Sequence, residues 1–229
     1  MLHVCASAQE QTDRLCDAVC AALRADLAAD GHALLVVSGG RSPATLFDAL
    51  AAAPLDWSRV TVTLADERVV PADHADSNAA LVRAHMLRGA AASARFLPLV
   101  EDPADPQRCA VRAAAQWRAL AQPPSVIVLG MGEDGHTASL FPGAAGLPAA
   151  LDPGCADAYV LISPPAAPYP RISLSLAAIL QARRLLLSIA GHAKRTVFEQ
   201  ASEPPPRAQW PISFVIQQTR VPFDAFWTA

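Results

Sequence analysis

The sequence predicts an α/β fold with a mainly parallel sheet, and three observations carry that reading. Ala33–Val37, Val60–Leu64, Val126–Leu129 and Leu185–Ile189 are short, branched, apolar runs of the kind found in strands buried on both faces. They alternate with segments whose apolar residues recur at helical spacing. The composition, 52% hydrophobic but only 6% aromatic, suits a core of Ala, Leu and Val and is too apolar for disorder.

Taken in order, the first helix runs from about Gln9 to Ala29. Leu15, Val19, Leu23 and Leu27 recur every four residues, and Gly31 stops it. The Ala33–Val37 strand ends in Ser38-Gly39-Gly40-Arg41-Ser42-Pro43. Ser42 is placed as an N-cap, with Pro43 as the first residue of a helix through Leu50. Val60–Leu64 ends in Asp66-Glu67-Arg68, and Asp76 or Ser77 caps a helix through Leu87. A short strand near Phe96–Val100 and a helix over Gln107–Leu120 follow. The Val126 strand breaks into a glycine-rich loop, and Tyr159–Ile162 forms another strand. Arg171 precedes a short helical run ending near Gln181. Leu185–Ile189 turns at Gly191 into a helix containing Lys194. Pro204–Pro206 reads as a rigid connector, and Pro211 opens a last short helix. No linker or repeat divides the 229 residues, so one domain spanning 1–229 is expected.

The net charge of −3 offers no global basic field for nucleic acid or anionic membrane, so an anion must be held by local devices. No apolar run reaches the ~20 residues needed to span a bilayer. The N-terminal segment lacks a signal-peptide hydrophobic region. The five cysteines are odd in number and form no C-x-x-C or zinc spacing, so a reduced, cytoplasmic setting is expected.

In a parallel sheet the loops leaving the carboxyl ends of the strands share one rim, where ligands bind. Four such loops carry chemistry: Ser38–Ser42, Asp66–Arg68, Gly130–His136 and Gly191–Lys194. Ser38-Gly39-Gly40-Arg41-Ser42 leads into a helix start, whose free N–H groups and dipole suit an anion. It matches neither of the common nucleotide-binding glycine patterns, and a tight structural turn reads about as well. Asp66-Glu67-Arg68, taken alone, reads as a solvated ion-pair cluster; on the rim, Arg68 offers a fork of donors for phosphate or carboxylate. Lys194 lies in a first helical turn, where a cation opposes the dipole unless an anion docks there. Of six histidines, only His136 sits in a flexible glycine loop at a strand end, and imidazole takes up protons near neutral pH.

Together these residues resemble the 6-phosphogluconolactonase family over nearly the whole chain. The motifs are S-G-G-x-[ST]-P at Ser38–Pro43, D-E-R-x-V-P at Asp66–Pro71 with Ser77-Asn78, and G-x-D-G-H-x-A-S-L-F-P-G at Gly132–Gly143. Pro168–Ser175 echoes P-x-x-R-[IV]-[ST]-L-[ST], and Gly191–Lys194 matches G-x-x-K. The resemblance implies a modified Rossmann-like three-layer fold, shared with sugar-phosphate isomerases, glucosamine-6-phosphate deaminases and coenzyme A transferases. It implies hydrolysis of 6-phospho-D-glucono-1,5-lactone to 6-phosphogluconate, in the oxidative branch of the pentose phosphate pathway. By the same resemblance His136 is the general base, and Arg68 and Lys194 meet the phosphate or the polarised lactone. Asp66 and Asn78 hold the substrate or order the loops, and Arg171 contacts phosphate or locks a loop. Asp134 and the cradle Ser38, Gly39, Gly40, Arg41 and Ser42 complete the expected substrate-binding set. No metal ligand set and no cofactor is expected. The expected partner is a phosphorylated sugar lactone, and the expected state a monomer or weak homo-oligomer. Ser139 has no evident base beside it, so it is not read as a nucleophile.

Two rivals differ in kind. A glucosamine-6-phosphate deaminase continues D-G-H with I-A-F-N-E-P, whereas the position of its glutamate is Phe141 here, and D-E-Y is replaced by Asp66-Glu67-Arg68. A non-catalytic sugar-phosphate sensor would couple such a domain to DNA binding, for which the chain shows no helix-turn-helix segment or basic charge. Three departures from the family pattern stand out: Arg41 beside the cradle, Tyr169 in the Pro164–Pro170 loop, and a short tail after Phe223.

Overall fold

The computed structural model describes residues 1–40 and 43–229. The expected N-cap at Ser42 and the added charge of Arg41 fall outside these residues. In chain order the elements are β1 (Leu2–Val4), α1 (Ala8–Ala29), β2 (Ala33–Val37), α2 (Ala44–Ala52), β3 (Val60–Leu64), β4 (Asp66–Arg68) and α3 (Asn78–His85). Then come β5 (Arg95–Leu97), α4 (Pro106–Leu120), β6 (Val126–Gly130), α5 (Leu147–Ala150), β7 (Tyr159–Ile162) and β8 (Arg171–Leu174). The chain finishes with α6 (Leu176–Ile179), β9 (Leu185–Ala190), α7 (His192–Ser202), α8 (Ser213–Ile216) and β10 (Phe223–Thr228).

Seven strands form one sheet in the order β1-β10-β9-β6-β2-β3-β5, every adjacent pair parallel. Flanking helices make this a three-layer α/β structure. All five residues of β2 are buried, as are Val126–Leu129 of β6, which is why these runs are apolar without alternation. After β2 the chain builds outward through β3 and β5, then returns to lay β6 on the other side of β2 and continues through β9 and β10. The order therefore reverses between β2 and β6, and the register pairs Val37 with Val128, so β6 runs two residues past the end of β2 at this edge. A crevice beyond such a reversal is where open α/β sheets bind ligands.

Helix α1 is held at its start by Ser7, whose Oγ accepts from the Glu10 N–H at 3.1 Å, while Glu10 accepts from the Ala6 N–H. Leu15, Val19 and Leu23 are buried against the sheet, and the turn after the helix uses Gly31 at a φ of +80°.

Three expectations need correcting. The residues between Arg171 and the short helix after it were not expected to form a strand: Arg171–Leu174 is the middle strand of a second, antiparallel sheet, β4-β8-β7. The short helical run expected after it is α6, started by Ser175, whose Oγ accepts from the Ala178 N–H. The segment after Phe223 is no tail but β10, an interior strand between β1 and β9. The fifth strand is Arg95–Leu97, shorter than the expected Phe96–Val100. No helix of the described residues is long and apolar enough to cross a membrane.

Candidate active site

The crevice between β2 and β6 opens into a cleft of about 450 Å³. Its wall brings together Ser38, Gly39 and Gly40 from the loop after β2, Asp66 and Arg68 from β4, and Asn78 from the start of α3. His136 and Ser139 enter from the loop after β6, Arg171 from β8 and Lys194 from the first turn of α7.

The base side of the cleft is a short loop shaped by two glycines. A Cβ on Gly132 would come within 2.2 Å of His136 Nδ1, and Gly135 has a φ of +77° with Trp210 packed against it. The Ile212 N–H donates to the Gly135 carbonyl at 2.9 Å, so the C-terminal segment pins the loop. His136 Nδ1 meets Asp134 Oδ1 at 2.6 Å. A carboxylate can only accept, so this bond puts the proton on Nδ1 and leaves Nε2 with a free lone pair. Burial pushes the Asp134 carboxyl up, but the bond to His136 and the ring's charge outweigh it, and the net shift is below the ordinary 3.8. Phe141 covers the imidazole, ring centroids 4.3 Å apart and planes tilted by 36°.

Asp134 was expected to bind substrate. Its carboxylate is instead engaged by the imidazole and does not line the cleft. Sequence reasoning missed this orienting contact, although the i, i+2 spacing of Asp134 and His136 in a glycine turn signals it. Ser139 does have an acidic neighbour: its Oγ donates to Asp66 Oδ2 at 2.6 Å, and its own N–H donates to Ser173 Oγ. Ser139 is 1% exposed and a carboxylate is a poor base for making an alkoxide, so the contact fixes Asp66 rather than arming a nucleophile.

The anion side is cationic. Arg68 and Arg171 are direct cross-strand partners on β4 and β8. Arg68 donates to the Asp76 carbonyl, and Arg171 donates to the Tyr169 carbonyl at 3.3 Å. Arg171 is only 6% exposed, and burial, then the Arg68 charge, hold its pKa below the ordinary arginine value. Among the described residues, no carboxylate lies within 4.0 Å of the charged nitrogens of Arg68, Arg171 or Lys194. A buried guanidinium without a counter-charge is costly, and an anionic ligand would remove that cost. Ser38 Oγ is also buried and has no partner among the described residues, in the same cleft as these cations. Gly40, with a φ of +98°, and Gly39 keep this wall free of side chains. Among the described residues no group of three His, Cys, Asp or Glu could hold a metal ion.

The glucosamine-6-phosphate isomerases/6-phosphogluconolactonase family model matches residues 6–227. The 6-phosphogluconolactonase of Pseudomonas aeruginosa is 45% identical over 226 residues, covering 99% of this chain and 94% of that protein. That of Neisseria meningitidis is 41% identical, covering 98% and 97%. The crystal structure of a 6-phosphogluconolactonase from Shewanella baltica superposes with a TM-score of 0.96 at 38% identity, over 100% of this chain and 97% of that one. The rim of cations facing an acid-oriented histidine thus belongs to a known lineage: this chain is a member of the glucosamine-6-phosphate isomerase/6-phosphogluconolactonase family.

Proposed function

We propose that the protein hydrolyses 6-phospho-D-glucono-1,5-lactone to 6-phosphogluconate, a step of the oxidative pentose phosphate route, with His136 as general base. The observation that carries this reading is a histidine oriented by Asp134, its Nε2 free among the described residues, in one cleft with three cations that have no carboxylate partner among those residues. The names of the similar proteins support the same substrate.

The ring of a six-membered lactone holds the ester in its strained s-trans form, so its carbonyl is open to attack by water. His136 Nε2 takes a proton from that water as the oxygen bonds to C1, and Asp134 stabilises the imidazolium that results. The charge that develops on the carbonyl oxygen is met by a cation of the rim, with Arg68 and Lys194 as the candidates. The tetrahedral intermediate collapses by breaking the bond from C1 to the ring oxygen. That oxygen leaves with the proton from His136, restoring the neutral base. Arg171 and the Ser38–Gly40 wall take the phosphate. No acyl-enzyme is needed, in keeping with the buried, committed hydroxyl of Ser139.

The deaminase reading is disfavoured by Phe141. Where that chemistry wants a carboxylate beside the histidine, this chain stacks an aromatic ring on the imidazole. The test is turnover of the phosphorylated lactone against glucosamine 6-phosphate, with wild type and His136→Ala. Lactone hydrolysis that falls about 10²–10⁴-fold in the variant is the expected result. Ammonia release without lactone hydrolysis, or unchanged turnover in the variant, overturns it.

A further inference from the structure

At 1% exposure Glu67 is buried more completely than any other Asp, Glu, Lys or Arg among the described residues, and the mechanism does not use it. No cation pairs with it within 4.0 Å among those residues. Its two oxygens instead take four neutral donors. Oε1 accepts from the backbone N–H of Arg68 at 2.8 Å and of Asn78 at 2.8 Å. Oε2 accepts from the Ala79 N–H at 2.7 Å and from Ser77 Oγ at 3.1 Å. Burial pushes the carboxyl up, and the three backbone donors offset part of that cost.

At the start of helix α3, Ser77 Oγ accepts from the Ala80 N–H, and Glu67 takes the Asn78 and Ala79 N–H groups of the same turn. What Glu67 adds is a link between two elements of the site. One end is β4, which carries Asp66 and Arg68. The other is Asn78, whose Nδ2 donates to the Asp66 carbonyl at 2.8 Å. The Asn78 amide also fills the space beside Gly39 so closely that a Cβ there would lie 1.8 Å from its Oδ1. Gly39, Asn78 and Glu67 therefore form a stack from the anion wall into the interior.

We propose that Glu67 is a positioning residue for substrate binding: by gripping the Arg68, Asn78 and Ala79 N–H groups at once, it sets the Asn78 amide against Gly39 and holds the cationic strand in register with the anion wall. The inference rests on the lactonase reading above. Glu67 lines no part of the cleft, so its effect reaches the substrate only through Asn78 and Arg68. Binding should depend on it more than the chemical step does.

The experiment compares wild type, Glu67→Gln, Asn78→Ala and the double variant, reading kcat and KM for the lactone and calorimetric affinity for 6-phosphogluconate. Glutamine has the same length, but its NH₂ would face donors and cannot accept from them. KM and the dissociation constant of the product should both rise about tenfold in Glu67→Gln, with kcat within about threefold of wild type. Asn78→Ala should show the same rise, and the double variant should be no worse than Asn78→Ala alone. A lowered melting temperature with unchanged KM, a loss confined to kcat, or additive effects would each overturn the proposal. If Glu67→Gln does not fold, amide exchange on wild type decides: the Asn78 and Ala79 amides should be protected, and further protected by 6-phosphogluconate. Exchange at those amides that ignores the ligand would refute the coupling. A wild type that neither hydrolyses the lactone nor binds its product would sink the functional reading instead, which separates the two failures.

Discussion

Replacing Asp134 by asparagine tests the orientation of the base while leaving the turn intact. The side-chain oxygen of asparagine can still accept from His136 Nδ1–H, so the 2.6 Å contact and the Nε2 lone pair can survive. What disappears is the negative charge beside an imidazolium that forms during attack. Two unit charges about 4 Å apart interact by about 4 kcal/mol at an effective dielectric of about 20. The Asp134 side chain is 51% exposed, so solvent screening roughly halves this, to about 2 kcal/mol. At about 1.4 kcal/mol per factor of ten, complete proton transfer in the transition state would cost about 30-fold in kcat, and half-complete transfer about 5-fold. The assay is lactone hydrolysis followed continuously in a pH-stat, with spontaneous hydrolysis subtracted, over pH 5 to 8. A variant with wild-type kcat would refute the assignment of Asp134 as the orienting acid. A loss as large as that of His136→Ala would mean that the loop, not the charge, had been broken.

Arg171→Met should weaken 6-phosphogluconate binding about 10²-fold by calorimetry, the range for removing one partner of a desolvated ion contact. The melting temperature of the free variant should equal or exceed that of wild type, because a buried, unpaired guanidinium has been removed; a large drop would mean that Arg171 is mainly structural. Asp224 ties β10 to its neighbours, accepting from His3 at 2.8 Å and Arg184 at 2.6 Å. Burial raises its carboxyl, but the His3 bond and the Arg184 and N-terminal charges outweigh it, so the folded value lies below the ordinary 3.8. A depressed acid stabilises the fold above its unfolded value and loses that contribution as pH falls through the folded one. Asp224→Asn should therefore melt lower than wild type at neutral pH, with the gap closing below pH 3.8 in a calorimetric series; a gap independent of pH would refute the linkage.

How much of this was legible beforehand follows from where each residue's conformation is decided. The strands β2 and β6 could be read because a strand buried on both faces must be apolar throughout, whatever its neighbours, and β3 and β9 because they depart from that pattern only at Thr61, Thr63 and Ser188. The four rim loops could be placed because a parallel sheet sends every carboxyl end to one edge. The second sheet could not. Arg171-Ile172-Ser173-Leu174 has no run long enough to declare itself, and it is a strand because Asp66–Arg68 and Tyr159–Ile162 pair with it. The same holds for Phe223–Thr228, where a charged, mixed segment is fixed by parallel pairing to β1 and β9.

The site divides along the same line. His136, the glycines around it and the basic residues announce themselves by type and by position at strand ends, because local chain geometry demands glycine and an imidazole there suits the proposed base. Phe141 by itself closes off the deaminase's extra carboxylate, and its stacking on the imidazole adds a contact that only the fold supplies. Asp66-Glu67-Arg68 is three charges in a row, and read alone it is a solvated cluster. The tertiary structure turns it inward: Asp66 is held by Ser139, Glu67 takes four donors from β4 and the start of α3, and Arg68 is placed opposite Arg171, with no carboxylate among the described residues within 4.0 Å of either. A charge can be buried only where distant backbone groups arrive to satisfy it, and which groups arrive is decided by the packing of the whole chain.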